Sequence, residues 1–429
     1  MKRIFGVLLA AIMILGLAAC GSRKGQESDE TFTPRLDADT ACQIRIVGTY
    51  SNFEALEAEF DRFQEYYPNV ELSYTRIDDY NNSIATVLNG NDAPNIFFSF
   101  SWMTGNSAYD EVFAHMENLA DPSLGLKLDC IRPGLLNRDA QGRVLTVPIF
   151  STSYGMLVNN DLFEKAGLEV PTTLQELLDV CASFREKGYE NPMMGYSAKS
   201  SNSLMHIVAY SAFAGTLAQH PEMVASANRG DSAAGEYMRP ALETIKRLID
   251  GGCVDLEECA KIGDNYTEVI LRFFKGDVPM MICTGDTVSG TKKRESSSDD
   301  FKENPFTYSF APVPTTDKGG YFLDSPSVQF SVNNTCDNLD MTNEFMRFLI
   351  TNTELNRMAS VKRLITPTKD LSFDKVYAPI GGVASDMIVS PTALGIEDTL
   401  VAQIRVASYK VGRGEMTIEE AVAQYGSLE

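Results

Sequence analysis

Tryptophan is almost missing from this 429-residue chain, with one copy, and histidine occurs three times. The histidines, His115, His206 and His220, are scattered, and no Cys-x-x-Cys pair occurs, so no metal site built from cysteine and histidine is expected. Basic residues are also short: 37 Lys and Arg stand against 58 Asp and Glu, for a formal net charge of -21. A field of that sign repels phosphate backbones and anionic lipid, which argues against a nucleic-acid partner. There is no Gly-x-Ser-x-Gly elbow, no His-Glu-x-x-His and no Gly-x-x-x-x-Gly-Lys-[Ser/Thr] loop, so the best-marked hydrolase and nucleotide sites are lacking and no cofactor is expected. Ser289-x-x-Lys292 matches a penicillin-interacting motif formally, but it lies in a polar run without partner motifs. Beyond the N-terminus no apolar run is long enough for a transmembrane helix.

What is present begins with that N-terminus. Lys2 and Arg3 precede an apolar run from Ile4 to Leu17, of signal-peptide length and short for a membrane span. Leu17-Ala18-Ala19-Cys20 then looks like a lipobox, which implies cleavage of residues 1–19 and acylation of Cys20. More than one acyl chain makes such an anchor stable. Residues 20–41 are polar, with little to bury, and are expected to be a flexible tether. Removing Cys20 from eight cysteines leaves seven, an odd number. Cys253 and Cys259 are close enough in sequence to bridge, and unpaired thiols are an equal alternative.

The length suits two lobes better than one core. Cys42–Gly48 alternates as a strand, and Leu56, Phe60 and Phe63 follow at helical spacing before Pro68. Val70–Ile77 is a second strand, Tyr80–Leu88 a helix, and Asn95–Phe100 a third strand. This order predicts a parallel α/β sheet, whose ligands bind beyond the carboxyl ends of the strands. That selects Gly48–Phe53, Ser99–Trp102 and the loop after Val144–Ile149. A second α/β series starts at Tyr154. Thr173-x-x-Glu176 and Thr417-x-x-Glu420 read as capping boxes opening helices. Further helices are predicted over Ser203–Thr216, Glu236–Asp250, Tyr266–Lys275, Met341–Thr351 and Glu354–Ser360. The charged, Ser-rich run Lys292–Glu303 reads as an exposed loop.

Three stretches resemble the extracellular solute-binding protein family 1, the maltose-binding-protein group. One is Val147-Pro148-Ile149 followed by YGMLVNNDLFEKAGLEVPTTLQELLDVCASFREKG. Another is FFKGDVPMMICTGD, Phe273 to Asp286. The last is FAPVPTTDKGG with its return strand SVQFSVNN and the helix EFMRFLITNTELNRM. Order and spacing match over most of the mature chain. The resemblance implies an α/β, two-lobed periplasmic-binding-protein-like fold of type II, with the ligand between lobes that close by hinge motion. Lobe one is expected over 42–149 plus 327–364, lobe two over 150–312 plus 371–429, with hinge crossings at 313–326 and 365–370 and a first crossing near Ile149–Ser153. It further implies a monomeric, lipid-anchored capture protein on the outer face of the cytoplasmic membrane, delivering solute to an ABC permease with its ATPase.

A sugar needs flat rings and fixed polar groups. Trp102 and Tyr50 follow sheet strands and are candidates for contact with its apolar face, whereas Phe53 fits the buried face of a helix. Thr152 and Tyr154 lie at the first crossing, and Asp324 at the second. Asp286 falls where relatives often carry a tryptophan, and a carboxylate there can accept sugar hydroxyls. The candidate set is Tyr50, Trp102, Thr152, Tyr154, Asp286 and Asp324. The predicted cleft loops hold no arginine, which favours a neutral mono- or oligosaccharide. The alternatives are a binding protein for an amino acid, peptide or other solute, a sensor-coupled receptor, and a surface hydrolase using paired carboxylates, which turnover would distinguish.

Overall fold

The computed structural model describes residues 32–103, 107–263, 265–371 and 373–429, and of Trp102 the backbone only. The expected signal peptide, the lipidation site Cys20 and the first part of the tether lie outside the described residues.

Nine strands form two separate sheets. In chain order they are β1 (Cys42–Gly48), β2 (Val70–Arg76), β3 (Ile96–Ser99), β4 (Val147–Pro148), β5 (Tyr154–Asn159), β6 (Met193–Gly195), β7 (Met280–Thr284), β8 (Tyr308–Ala311) and β9 (Gln329–Val332). The first sheet has the order β2-β1-β3-β9-β4. Its β1 runs parallel to β2 and β3, as the strand–helix alternation predicts, while β9 returns antiparallel to β3 and β4. The second sheet has the order β6-β7-β5-β8, with only β6 and β7 parallel. Each sheet has its own helices, so the molecule has two lobes.

The helices used below are α1 (Glu54–Gln64), α2 (Leu174–Glu186), α3 (Leu204–Gln219), α4 (Gly235–Asp250), α5 (Tyr266–Phe273), α6 (Gly285–Ser297), α7 (Leu339–Leu349), α8 (Asn352–Lys362), α9 (Asp398–Gly412) and α10 (Ile418–Ala423). In the first lobe α1 covers the sheet with Leu56, Phe60 and Phe63 and packs on α7 and α8. Phe53 is fully buried against Phe98, Phe150 and Phe330. Burial of each such ring contributes about 1.5–3 kcal/mol. In the second lobe α3 is buried on nearly every side, between the sheet, α4 and α9, which explains why its sequence carries almost no polar stripe. Both capping boxes form: Thr173 caps α2 with Glu176, and Thr417 caps α10 with Glu420.

The structure departs from expectation in two places. Residues 292–303 are not a loop. Thr284 caps α6 by accepting from the Thr287 amide, Val288 and Thr291 bury one face, and Ser298 starts a further short helix, Asp299–Glu303. Phe301 of that helix stacks on Phe274 with centroids 4.3 Å apart. The tether expected to reach Ala41 is already pinned at Arg35 and Leu36, whose amides donate to Glu344 Oε1 (2.8 Å) and the Tyr67 hydroxyl (3.2 Å). Of the two cysteine states that the sequence leaves open, the described cysteines take the second, and Cys253 and Cys259 are thiols.

The chain passes between the sheets at three places that lie side by side. Ser151 and Thr152 pair antiparallel with Pro326 and Ser325, and Ser151 bridges to Ile365. Arg132 ties these passages together. Its Nε and Nη2 hold both oxygens of Asp324 at 2.7 Å, Nη1 donates to the carbonyls of Thr366 and Thr368 at 2.7 Å, and Nη2 reaches Ser151 Oγ at 2.8 Å. All five guanidinium hydrogens therefore have an acceptor.

Candidate functional site

Where the two lobes face each other lies a cleft of about 1530 Å³. That exceeds the roughly 1,000 Å³ at the upper end of ordinary small-molecule sites. The first lobe supplies Thr49–Asn52 after β1, Arg76 at the end of β2, and Phe100 and Ser101 after β3. These are carboxyl ends of parallel strands, where the sheet topology predicts a ligand. The second lobe supplies Thr152–Tyr154, Tyr210 of α3, Tyr266 of α5, and the cleft-facing sides of α6 and α9.

The polar centre is Asp286, in the first turn of α6. It opens into the cleft, and its Oδ1 accepts from Ser327 Oγ of the opposite lobe at 2.6 Å. Desolvation by the surrounding walls raises its pKa, while Ser327 and the Thr152 hydroxyl pull it back down. Thr152 Oγ1 is near enough to influence that carboxylate, yet it has no well-formed hydrogen bond and is buried. Gly285 makes the close approach possible: a Cβ there would stand 2.9 Å from Thr152 Oγ1.

Aromatic rings surround this centre. Tyr50 is fixed through its backbone, its amide donating to the Tyr74 hydroxyl at 2.8 Å, and its ring meets Phe53 and Phe98 edge-on. Tyr154 stands edge-on to Tyr210 and to His206, and His206 is stacked flat on Tyr210. Burial raises the phenol of Tyr154 to about 12 and lowers His206 to about 3, the latter with help from the charge of Arg405. His206 is thus neutral, and both of its ring nitrogens are buried without a partner. Tyr266 is 51% exposed, an unusual degree for a large ring, and faces the cleft beneath the Arg294 guanidinium at 5.1 Å.

Of the residues selected from sequence, Tyr50, Thr152, Tyr154 and Asp286 share this cleft. The backbone of Trp102 sits in the turn Ser101–Met103 after β3. Its side chain lies outside the described part. Asp324 is not on the cleft wall: it is buried and spent on Arg132, because the polypeptide crossings need a counterion more than the cleft needs a second acid. The premise that the cleft lacks arginine does not hold either, since Arg76, Arg294 and Arg405 line it. Tyr210, Tyr266 and Arg405 were not foreseen. Each sits inside a helix whose pattern says which face is buried, not which exposed residue meets the other lobe.

The chain matches the family model for bacterial extracellular solute-binding proteins over residues 48–354, and it belongs to that family. A curated relative is the melibiose/raffinose/stachyose-binding protein MelE of Bacillus subtilis, 24% identical over 200 residues. That match covers 44% of this chain and 41% of the relative, so less than half of either protein is aligned. Among solved structures, apo RafE from Streptococcus pneumoniae superposes with a TM-score of 0.69 at 15% identity, covering 92% of this chain and 98% of that one. The sugar-binding protein MalE of Xanthomonas citri gives 0.68 at 17% identity, covering 90% and 95%. The GacH receptor of Streptomyces glaucescens gives 0.66 at 20% identity, covering 90% and 97%. At these identities the structural likeness establishes the two-lobed fold. No helix among the described residues is long and apolar enough to cross a membrane.

Proposed function

We propose that this protein is the capture component of an ABC importer, and that it binds a carbohydrate without transforming it. The observation that carries this reading is the interlobe cleft of about 1530 Å³, walled by Tyr50, Tyr154, Tyr210 and Tyr266 around a hydrogen-bond acceptor at Asp286. Flat rings suit the C–H faces of pyranoses, and a carboxylate flanked by hydroxyls suits their OH groups. The volume favours more than one sugar unit. Sugar-binding relatives such as MelE, and RafE in complex with raffinose, support the same reading.

In this mechanism the bodies 42–149 plus 327–364 and 150–312 plus 371–429 turn about the crossings. A ligand that touches both walls binds the closed form more tightly and shifts the population towards it. The closed pair then docks on a permease, while acylated Cys20 holds the protein at the outer face of the membrane. The test is a thermal-shift and calorimetric screen of the soluble domain against galacto-, gluco- and xylo-oligosaccharides, amino acids and peptides. Ligand at a hundredfold excess over its Kd should stabilise the native state by about 2.7 kcal/mol. The bound sugar should be recovered intact after long incubation. Binding of amino acids or peptides alone would overturn the carbohydrate assignment, and release of cleaved sugar would overturn simple capture.

A further inference from the structure

The charge of the cleft opposes the charge of the chain. Over the whole sequence acidic residues outnumber basic ones 58 to 37, yet the cleft is lined by six basic side chains and three acidic ones. Two of the basic groups are already neutralised: Arg76 pairs with Asp78 at 3.0 Å, and Lys362 lies 3.5 Å from Glu54 and over the Tyr50 ring. The other four belong to the second lobe and have no carboxylate partner among the described residues. Lys292 donates to the Val361 carbonyl at 3.1 Å, and Arg294 donates to Thr267 Oγ1 at 2.6 Å while covering Tyr266. The side chains of Lys293 and Arg405 make no hydrogen bond or ion pair among the described residues. Arg405 is half-buried on α9, beside the tyrosine and histidine stack, where water is scarce and an uncompensated cation costs most.

The acids present do not cancel this field. Glu54 is committed to Lys362, and Asp286 accepts from the Ser327 hydroxyl on the facing wall. Asp398 remains, seven residues before Arg405 on the same helix. A fold that gathers cations without carboxylate partners in its interlobe cleft, in a chain of formal net charge -21, gains a local potential that concentrates anions there. Guanidinium groups beside an exposed ring suit a flat acid carried on a pyranose: the ring stacks and the fork grips the charge.

Resting on the reading of this cleft as a carbohydrate site, we propose that its ligand is an acidic saccharide, whose carboxylate or sulfate groups are held by Arg405 on one wall or by the Lys292–Arg294 turn of α6 on another, with the exposed part of the Tyr266 ring beside the sugar.

The experiment is calorimetry on the soluble domain with three matched series: neutral oligosaccharides, the corresponding uronic-acid oligosaccharides, and sulfate esters of the same backbones. At least one acidic series should bind ten times more tightly than its neutral counterpart, with affinity falling as salt rises. The carboxylate and sulfate arms tell which anion is meant. Arg405→Gln and Arg294→Gln should each weaken the acidic ligand about tenfold. A merely unfolded variant is recognised by the loss of its thermal unfolding transition, and a folded one should weaken the acidic series at least about five times more than the neutral series. Lys187→Gln, an exposed charge change outside the cleft, should have no such effect. Equal or tighter binding of the neutral series would overturn the inference and leave the carbohydrate reading intact. Binding of no saccharide in any series would overturn both.

Discussion

Two aspartates, Asp286 and Asp324, look alike in sequence: each follows a strand of the second lobe's half of the chain and each is a fair candidate for a sugar hydroxyl. The structure gives them opposite occupations. Asp324 is buried, with both oxygens on one guanidinium whose remaining hydrogens serve the other two crossings. Asp286 faces open space, accepts one hydroxyl and has its pKa raised, and beside it Thr152 Oγ1 is buried with no partner among the described residues. A carboxylate whose valences are filled by its own chain holds a fold together. One left incomplete beside other incomplete groups is a place for something else to bind.

The contrast is broken most forcefully at the hinge. Arg132→Met strands the buried charge of Asp324 and should cost about 3–5 kcal/mol of unfolding free energy in urea titration. Removing both charges together, as R132M with D324L, should recover most of that loss, because the penalty belongs to the unpaired partner. A single variant that loses under 1 kcal/mol would mean that the crossings are held by backbone pairing alone, and the contrast between the aspartates would lose its basis. At the other pole, Asp286→Asn keeps the shape and removes the charge. Ligand affinity should fall roughly ten- to a hundredfold, as for a hydrogen bond to a charged group, with stability unchanged or slightly raised. Loss of stability without loss of affinity would show that Asp286, too, is structural.

His206 sharpens the comparison through pH. Its folded-state pKa lies below the ordinary value of 6.5, first because it is buried and then because Arg405 repels a second positive charge. The unfolded chain therefore takes up a proton on acidification before the folded one does. The stability from neutral His206 is full above pH 6.5 and is lost as pH falls towards about 3. By pH 5 the loss should be about 2 kcal/mol. Thermal melts between pH 7 and 5 on wild type and His206→Asn measure it, and the variant should show a flatter profile. Parallel profiles would mean that water or a ligand already satisfies the ring. Glu59 provides a slope of the opposite sign. Burial raises its pKa far above the carboxylate range, helped by Glu354 and resisted by Arg62, so its contribution fades as pH rises through that raised value.

How much of this was legible beforehand follows from the range of the forces involved. The two capping boxes depend on residues three apart, and both stand where the sequence puts them. The parallel strands β1 to β3 follow from alternation and from the helices between them. Tyr50 and Phe53 separate correctly, one on the cleft and one in the core. By contrast, α6 hides inside GDTVSGTKKRESS, because Val288 is the one large apolar side chain on its buried face, the others being Gly and Thr, and its stability comes from a threonine cap and from packing on α5. Asp324 was unreadable for a related reason: its partner Arg132 is 192 residues away, in a stretch with little regular structure. The basic wall of the cleft is hidden for the same reason as α6 at Lys292–Arg294, while Arg405 sits on a helix whose pattern does not say which residue meets the other lobe.

The smallest of the expected effects is also the cleanest separation of binding from folding. Tyr266 is 51% exposed and helps to form the cleft wall, so its ring does little for the core. Tyr266→Ala should change unfolding free energy by no more than about 0.5 kcal/mol. It should weaken the captured sugar by about 1 kcal/mol, close to sixfold, as loss of one stacked ring. Tyr266→Phe should restore affinity if the ring face makes the contact, and should fail to do so if the hydroxyl does. An alanine variant with unchanged affinity for every ligand that the wild type binds would remove Tyr266 from the site and leave the cleft's recognition to Asp286, Tyr50 and Tyr154.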